Sequence, residues 1–103
     1  MRERLLAYSL RVIRLYGALP RSTPAQVIGK QVLRSALSVG AHQREAHRAK
    51  SVPDFISKME GAIGELDESS YWFELLVAAK IVPERRLKPL LDETAELTAM
   101  FVA

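Results

Sequence analysis

The chain has 103 residues, 49% of them hydrophobic and 26% charged, with a formal net charge of +3 and no cysteine. A chain of this length has room for one modest core, its apolar content is too high for disorder, and the missing cysteines exclude disulfides and thiolate metal sites. No apolar run reaches the roughly eighteen residues that cross a membrane, and the first residues lack the continuous apolar region of a secretory signal. We therefore expect a single cytoplasmic domain over residues 1–103.

The charge is divided unevenly along the chain. Residues 1–50 contain ten arginines and lysines against two acidic residues, whereas residues 51–103 contain five against ten. A basic half of this kind can form a surface for an anionic partner. The two halves can equally neutralise each other within the fold, and composition alone leaves both interpretations open.

The first predicted helix precedes Pro20, which ends it. Its apolar residues recur every three or four positions, the spacing of an amphipathic helix. These residues are Leu5, Tyr8, Val12, Leu15 and Leu19.

The second predicted helix begins at Thr23-Pro24 and runs to about Lys50. Its apolar and small residues cover about 200° of the helix circumference, which is more than one core-facing stripe requires. We therefore expect this helix to have two buried contacts, one with the core of the domain and one with another partner.

The third predicted helix is capped by Ser51, carries Pro53 in its first turn and runs to about Lys80. A heptad pattern predicts its core seam, and a polar stripe that ends at Trp72 lies beside this seam. The seam consists of Phe55, Met59, Ala62, Leu66, Ser69, Phe73 and Leu76.

The fourth predicted helix restarts the chain at Val82-Pro83-Glu84. Its periodic residues are Leu87, Leu91, Thr94, Leu97 and Phe101. Four helices joined by short links predict an all-α, antiparallel, up-down-up-down four-helix bundle.

Charged residues on the second and third helices face each other if the turn between these helices is centred near Ser51. Arg34 then lies opposite Glu68, with Glu65 one turn away. In the same register Glu45 lies opposite Lys58. We interpret these five residues as structural ion pairs, which fix the register of a helix pair more than they stabilise it.

The same region resembles a bacterial four-helix-bundle family named after the 23S rRNA intervening sequence protein. The resemblance covers residues 31–76, from QVLRSALSVGAHQREAHRAKS to ELDESSYWFELL. It departs from the family pattern at His42, where the family has Asn, and at Gly64, where a basic or polar residue is usual. The matching residues are Gln31, Arg34, Ser35, Ser38, Gly40, Ala41, Glu45, Ala46, Arg48, Ala49, Ser51, Asp54, Phe55, Lys58, Glu65, Glu68, Tyr71, Trp72, Leu75 and Leu76.

The resemblance implies a homo-oligomer, with family members arranged as ring-like pentamers and without a known enzyme activity. It also implies a second function. Accessory proteins of diversity-generating retroelements share the pentameric bundle and a basic surface, and they partner a reverse transcriptase. A protein-binding scaffold without nucleic-acid binding of its own is therefore the alternative to a module that binds RNA or DNA.

No catalytic or metal site stands out in the sequence. His42 and His47 diverge by about 140° around their helix, and a cation at Arg34 would keep Glu65 and Glu68 ionised and paired. We therefore expect neither an enzyme nor a cofactor.

Nucleic-acid binding is the leading functional hypothesis. The candidate contacts are the cations that the predicted ion pairs leave free, and no aromatic residue alternates with them for base stacking. Binding would therefore be directed at phosphates and depend strongly on salt. The candidates are Arg11, Arg14, Lys30, Arg44, Arg48 and Lys50.

Overall fold

A computed structural model describes every residue from Met1 to Ala103. It contains four helices and no strand, which confirms the predicted all-α class. None of the helices combines the length and the apolar content needed to span a membrane. The helices are α1 (Arg2–Ala18), α2 (Thr23–His47), α3 (Val52–Ala78) and α4 (Glu84–Val102).

The links between the helices follow local sequence signals. Ser51 caps α3, since its hydroxyl oxygen accepts a hydrogen bond from the Asp54 backbone N–H at 3.2 Å. At the other end of α3, Lys80 adopts a left-handed conformation with a φ of 60°. The Ile81 N–H then bonds to the Leu76 carbonyl at 3.0 Å, which satisfies one of the last carbonyls of the helix.

The long central helices α2 and α3 form the most extensive contact of the fold. Arg34 in the middle of α2 meets Glu68 in the second half of α3, whereas Glu45 near the end of α2 meets Lys58 near the start of α3. The two helices are therefore antiparallel. Helix α1 packs on α2 and α4 packs on α3, whereas the backbones of α1 and α3 are not adjacent, although Tyr8 of α1 reaches Ser69 of α3 in the core.

The predicted core seam of α3 is correct for five of its seven residues. Ala62, Leu66, Ser69, Phe73 and Leu76 are buried. Met59 is only half-buried, and the expectation for Phe55 is wrong, because its side chain remains 46% exposed. Phe55 lies in the first turn of α3, so the packed seam begins further into the helix than the heptad pattern predicted.

Hydroxyl groups from all four helices lie in the centre of the protein. Tyr8 of α1 is hydrogen-bonded to Thr94 of α4, with 2.7 Å between the oxygens. Ser35 of α2 is hydrogen-bonded to Ser69 of α3 at 2.9 Å. All four side chains are buried, so each helix contributes one polar group that is satisfied inside an otherwise apolar core.

Candidate nucleic-acid interface

Arg34 is occupied by contacts with acidic residues of α3. Its guanidinium lies beside the Glu68 carboxylate and 3.5 Å from Glu65 Oε2. The Trp72 indole N–H donates a second hydrogen bond to Glu68, at 3.1 Å. These two carboxylates neutralise Arg34 and compete with an anionic ligand for its guanidinium.

The second predicted pair is looser. Lys58 Nζ lies 3.9 Å from Glu45 Oε2, and His42 Nδ1 lies 3.7 Å from the other oxygen of the same carboxylate. The Glu45 side chain is 54% exposed. An exposed pair at this distance contributes little to stability, although it lies where the predicted register places it.

Helices α1 and α4 share an ion pair that the sequence analysis did not anticipate. The Arg4 guanidinium donates two hydrogen bonds to the Glu93 carboxylate, at 2.8 and 2.7 Å. These hydrogen bonds lower the pKa of Glu93, and the charge of Arg11 lowers it further. No turn connects α1 to α4, so the sequence offered no register from which this pair could be inferred.

Two of the six candidate cations lie together at one end of the bundle. Arg44 and Arg48, on the last turns of α2, line a cavity of about 390 Å³ together with Arg2 from the start of α1. None of these three arginines has a carboxylate partner within ion-pair distance. We call this group the arginine cluster. The remaining lining residues are Met1, Gln43 and His47.

A second cavity, of about 480 Å³, extends from the arginine cluster into the groove between α1 and α2. Its walls include all three arginines and Glu45, and its apolar residues are Leu5, Leu6, Leu37 and Ala41. The end of the α1–α2 pair therefore presents cations next to an apolar groove.

The other four candidate cations are not part of the arginine cluster. Arg11 is half-buried, and its charge acts on Tyr8 and Glu93. Arg14 and Lys30 are exposed on α1 and α2, away from the end of the bundle that holds the cluster. Lys50 lies in the link after α2, where its backbone N–H donates to Asp54 Oδ2 at 3.2 Å.

Comparison with known proteins places the chain in a family. The family model of the 23S rRNA-intervening sequence protein matches residues 3–103, which is nearly the whole chain. The chain belongs to this family. A crystal structure from Bacteroides thetaiotaomicron VPI-5482 is similar to it, with a TM-score of 0.91 and 32% sequence identity, covering 98% of this chain and 94% of the other.

The solved relative is described as a protein of unknown function from the S23 ribosomal protein family. No curated protein matches the chain. Neither the family of the 23S rRNA-intervening sequence protein nor the solved relative indicates a catalytic activity.

In this member of the 23S rRNA-intervening sequence protein family, Arg2 is the cluster residue that sequence reasoning missed. Where α1 packs on α2, Leu5 lies close to Gly40 and Tyr16 lies close to Gly29. These two contacts show that the two helices run in opposite directions. In this antiparallel register Arg2, three residues before Leu5, lies opposite Gln43, three residues after Gly40. Arg2 is therefore beside the last turns of α2. The same antiparallel register, applied to the sequence, would have found it.

His42 replaces the Asn of the family pattern and packs on α3. A Cβ atom added at Gly61 would lie 3.0 Å from the His42 ring, so the histidine occupies space that only a glycine leaves free. Its Nδ1 atom is buried without a hydrogen bond. The structure contains no group of three histidine, aspartate or glutamate side chains placed to hold a metal ion.

Proposed function

We propose that the chain is a single domain over residues 1–103 that acts as a non-catalytic, oligomeric interaction module and binds RNA or DNA through the arginine cluster. Its place of action would be the cytoplasm. The supporting observation is the convergence of Arg2, Arg44 and Arg48 at one end of the α1–α2 pair without a carboxylate partner.

The chemistry of the arginine cluster suits phosphate groups. Guanidinium groups form paired hydrogen bonds with phosphate oxygens, and phosphate contacts position a nucleic acid without reading its sequence. The cavity lined by the cluster contains no phenylalanine, tyrosine or tryptophan on which a base could stack. We therefore expect binding with weak sequence preference and strong dependence on salt.

Self-association is the second part of the proposal. We propose an up-down-up-down bundle that assembles into a ring-like pentamer, as resemblance to the family suggests. The large apolar side chains that remain exposed on α1, Leu6, Leu10 and Ile13, support an additional buried contact. A ring would repeat the arginine cluster in every subunit, so that avidity would strengthen a modest affinity per site.

The proposal is tested by measuring binding to labelled single-stranded and duplex RNA and DNA across a salt series, with the mass of the protein measured in the same buffers. We expect binding at low salt that weakens steeply as salt rises, because phosphate contacts release condensed counterions. Absence of binding at low ionic strength, with the protein folded, would refute the nucleic-acid part of the proposal.

A protein-binding scaffold is the alternative, for example an accessory subunit of a reverse transcriptase in a diversity-generating retroelement. The apolar groove between α1 and α2 favours this alternative, since the exposed Leu6 and Leu37 would contact a protein side chain better than a phosphate. The salt series separates the two functions, because a scaffold of this kind binds no nucleic acid by itself.

A further inference from the structure

Helix α1 carries apolar residues on the side that faces away from the core. Leu6, Leu10 and Ile13 are 51%, 50% and 47% exposed, and their spacing of four and three residues aligns them along one side of the helix. Arg14 lies next to this row on α1, and exposed Lys30 lies on the neighbouring helix α2. We call these five residues the α1 face. It is apolar along α1, with Arg14 beside the row. Because Gly29 packs against Tyr16, Lys30 lies on the adjacent helix at the level of the C-terminal end of the row.

The outer side of α3 also combines exposed apolar residues with charged residues, but its charged residues are acidic. Glu60, Asp67 and Glu74 repeat every seven residues and therefore form one row along the helix. None of them has a basic partner within ion-pair distance. Ile56 and Tyr71, which are 49% and 56% exposed, lie beside the row. We call these five residues the α3 face.

The positions of the two helices allow one copy of the protein to use both faces at once. Helix α1 is adjacent to α2 and α4, and α3 is also adjacent to α2 and α4, but the backbones of α1 and α3 are not adjacent to each other. The two helices therefore lie diagonally across the bundle, and their outer sides point in different directions. A contact between two different faces then repeats from copy to copy and produces a closed ring or an open chain.

We propose that the partner of the α1 face is the α3 face of a second copy of this chain, in a head-to-tail contact. This inference rests on the self-association proposed above and specifies which surfaces form it. Arg14 and Lys30 would meet acidic residues of the α3 row, while Leu10 would pack against Ile56 or Tyr71. A contact of either face with its own copy would instead juxtapose like charges, which disfavours association.

Helix composition supports the assignment. The only basic residue of α3, Lys58, lies near Glu45 of α2 and not on the outer row. The only acidic residue of α1, Glu3, lies in the first turn, eleven residues before Arg14. The central part of each face therefore carries one sign of charge, and the arginine cluster is not required for the contact.

The test uses two charge-reversal variants of the full chain. One carries Glu60→Lys, Asp67→Lys and Glu74→Lys, and the other carries Arg14→Glu and Lys30→Glu. All five side chains are exposed, so both variants should keep the helix content of the natural chain. We expect each variant alone to be monomeric at a concentration where the natural chain is assembled. An equimolar mixture should associate again, because the reversed α1 face of one variant attracts the reversed α3 face of the other, and the two natural faces also attract each other. Alternation of the two variants closes only rings with an even number of subunits, so association is judged by a mass above that of the monomer and not by recovery of a pentamer.

A third variant tests the apolar centre of the contact independently of charge. Leu10→Asn should also produce monomers at the same concentration, since it places a polar group in the middle of the α1 face. The control is Arg85→Glu with Arg86→Glu, two exposed residues at the start of α4 that belong to neither face. This control should assemble like the natural chain.

The outcomes separate the face assignment from the proposed function. If the natural chain assembles and the charge-reversal variants still assemble, or if their mixture stays monomeric, the head-to-tail assignment is overturned while self-association stands. If the natural chain is itself monomeric, both the assignment and self-association are overturned. Nucleic-acid binding is judged separately, because every residue of the arginine cluster is unchanged in these variants.

Discussion

The Tyr8 hydroxyl donates a hydrogen bond to Thr94 Oγ1 across the centre of the protein, at 2.7 Å. The Thr94 hydroxyl donates its own proton to the Leu90 carbonyl, also at 2.7 Å, so Thr94 Oγ1 is left to accept the hydrogen bond from Tyr8. Both side chains are buried. The chain positions joined by this bond are 86 residues apart, and the bond fixes how α1 is aligned against α4.

Replacing Tyr8 with Phe should reduce the free energy of unfolding by about 1 kcal/mol at pH 7, the usual net value of a buried hydrogen bond. The ring continues to fill its space, and Thr94 retains its bond to Leu90. The measurement is chemical denaturation of both proteins. Tyr16→Phe is the matched control, since it removes a hydroxyl bonded to Gln26 from a half-buried tyrosine and should cost less.

The same pair of proteins should differ in their response to high pH. Burial raises the pKa of Tyr8 to about 12. The unfolded chain ionises this tyrosine near pH 10, so stability is complete below about pH 10 and is lost as the pH rises towards about 12. By pH 11 the natural chain should have lost about 1.4 kcal/mol relative to Tyr8→Phe. Parallel pH profiles for the two proteins would contradict the buried position of the Tyr8 hydroxyl.

Arg34→Ala should destabilise the protein by about 1 kcal/mol, because Glu65 and Glu68 would lose their shared cation. Glu65 is the more buried acid, with its side chain 17% exposed, whereas Glu68 is 34% exposed and makes the closer contact with Arg34. Glu68 keeps the hydrogen bond from Trp72. The measurement is thermal and chemical denaturation.

The control for Arg34 is Lys88→Ala, which breaks the exposed pair with Asp92 on a single helix. Such pairs are worth no more than about 0.5 kcal/mol. If Arg34→Ala and Lys88→Ala melt alike, the contacts of Arg34 with α3 do not stabilise the helix pair.

The sequence predicted the helices and the α2–α3 register because both depend on short-range signals. Pro24 and Ser51 mark helix starts, and a short link allows residues of α2 to be matched with residues of α3 by counting outward from the turn. The contacts between α1 and α4 could not be obtained in this way. Arg4 meets Glu93 because three links and the packing of all four helices bring them together, and no local pattern contains that information.

The candidate site was only partly predictable for the same reason. Arg44 and Arg48 lie one turn apart on one helix, so their proximity follows from helix geometry. Arg2 joins them through the packing of α1 on α2, which the sequence analysis did not work out. Lys30 and Lys50 contribute to the positive charge of the first half of the chain. A charge total does not say where each cation lies in the fold, so it could not show that these two lysines lie outside the arginine cluster.

The two glycines Gly64 and Gly29 should respond in opposite ways to replacement by alanine. Nothing lies within 4 Å of a Cβ atom added at Gly64, so Gly64→Ala should stabilise the helix by about 1 kcal/mol through the lower conformational entropy of the unfolded chain. At Gly29 the added atom would lie 2.6 Å from Leu19 and 2.8 Å from Tyr16. Gly29→Ala should therefore destabilise by about 1 kcal/mol or more, since the Leu19 and Tyr16 side chains must shift to make room for the methyl group.

Denaturant titrations of Gly64→Ala, Gly29→Ala and the natural chain at one protein concentration would check this contrast. A stabilising effect at both positions would mean that α1 lies further from α2 than the contact of Gly29 with Tyr16 indicates.

The double variant Arg44→Ala, Arg48→Ala should weaken nucleic-acid binding without unfolding the protein. Both side chains are exposed and neither forms an ion pair, so the free energy of unfolding should change by no more than about 1 kcal/mol, the value of favourable charges near the end of α2. If each arginine contacts one phosphate, the slope of log affinity against log salt should fall by about two, and the affinity at low salt should fall at least about tenfold.

The matched control removes the same charge elsewhere. Arg85→Ala with Arg86→Ala deletes two exposed arginines at the start of α4, and its binding should stay within about threefold of the natural chain. Equal losses in both double variants would show that net charge alone governs binding. Such a result would remove the arginine cluster as a defined site, because a site requires that the position of the cations matters as well as their number.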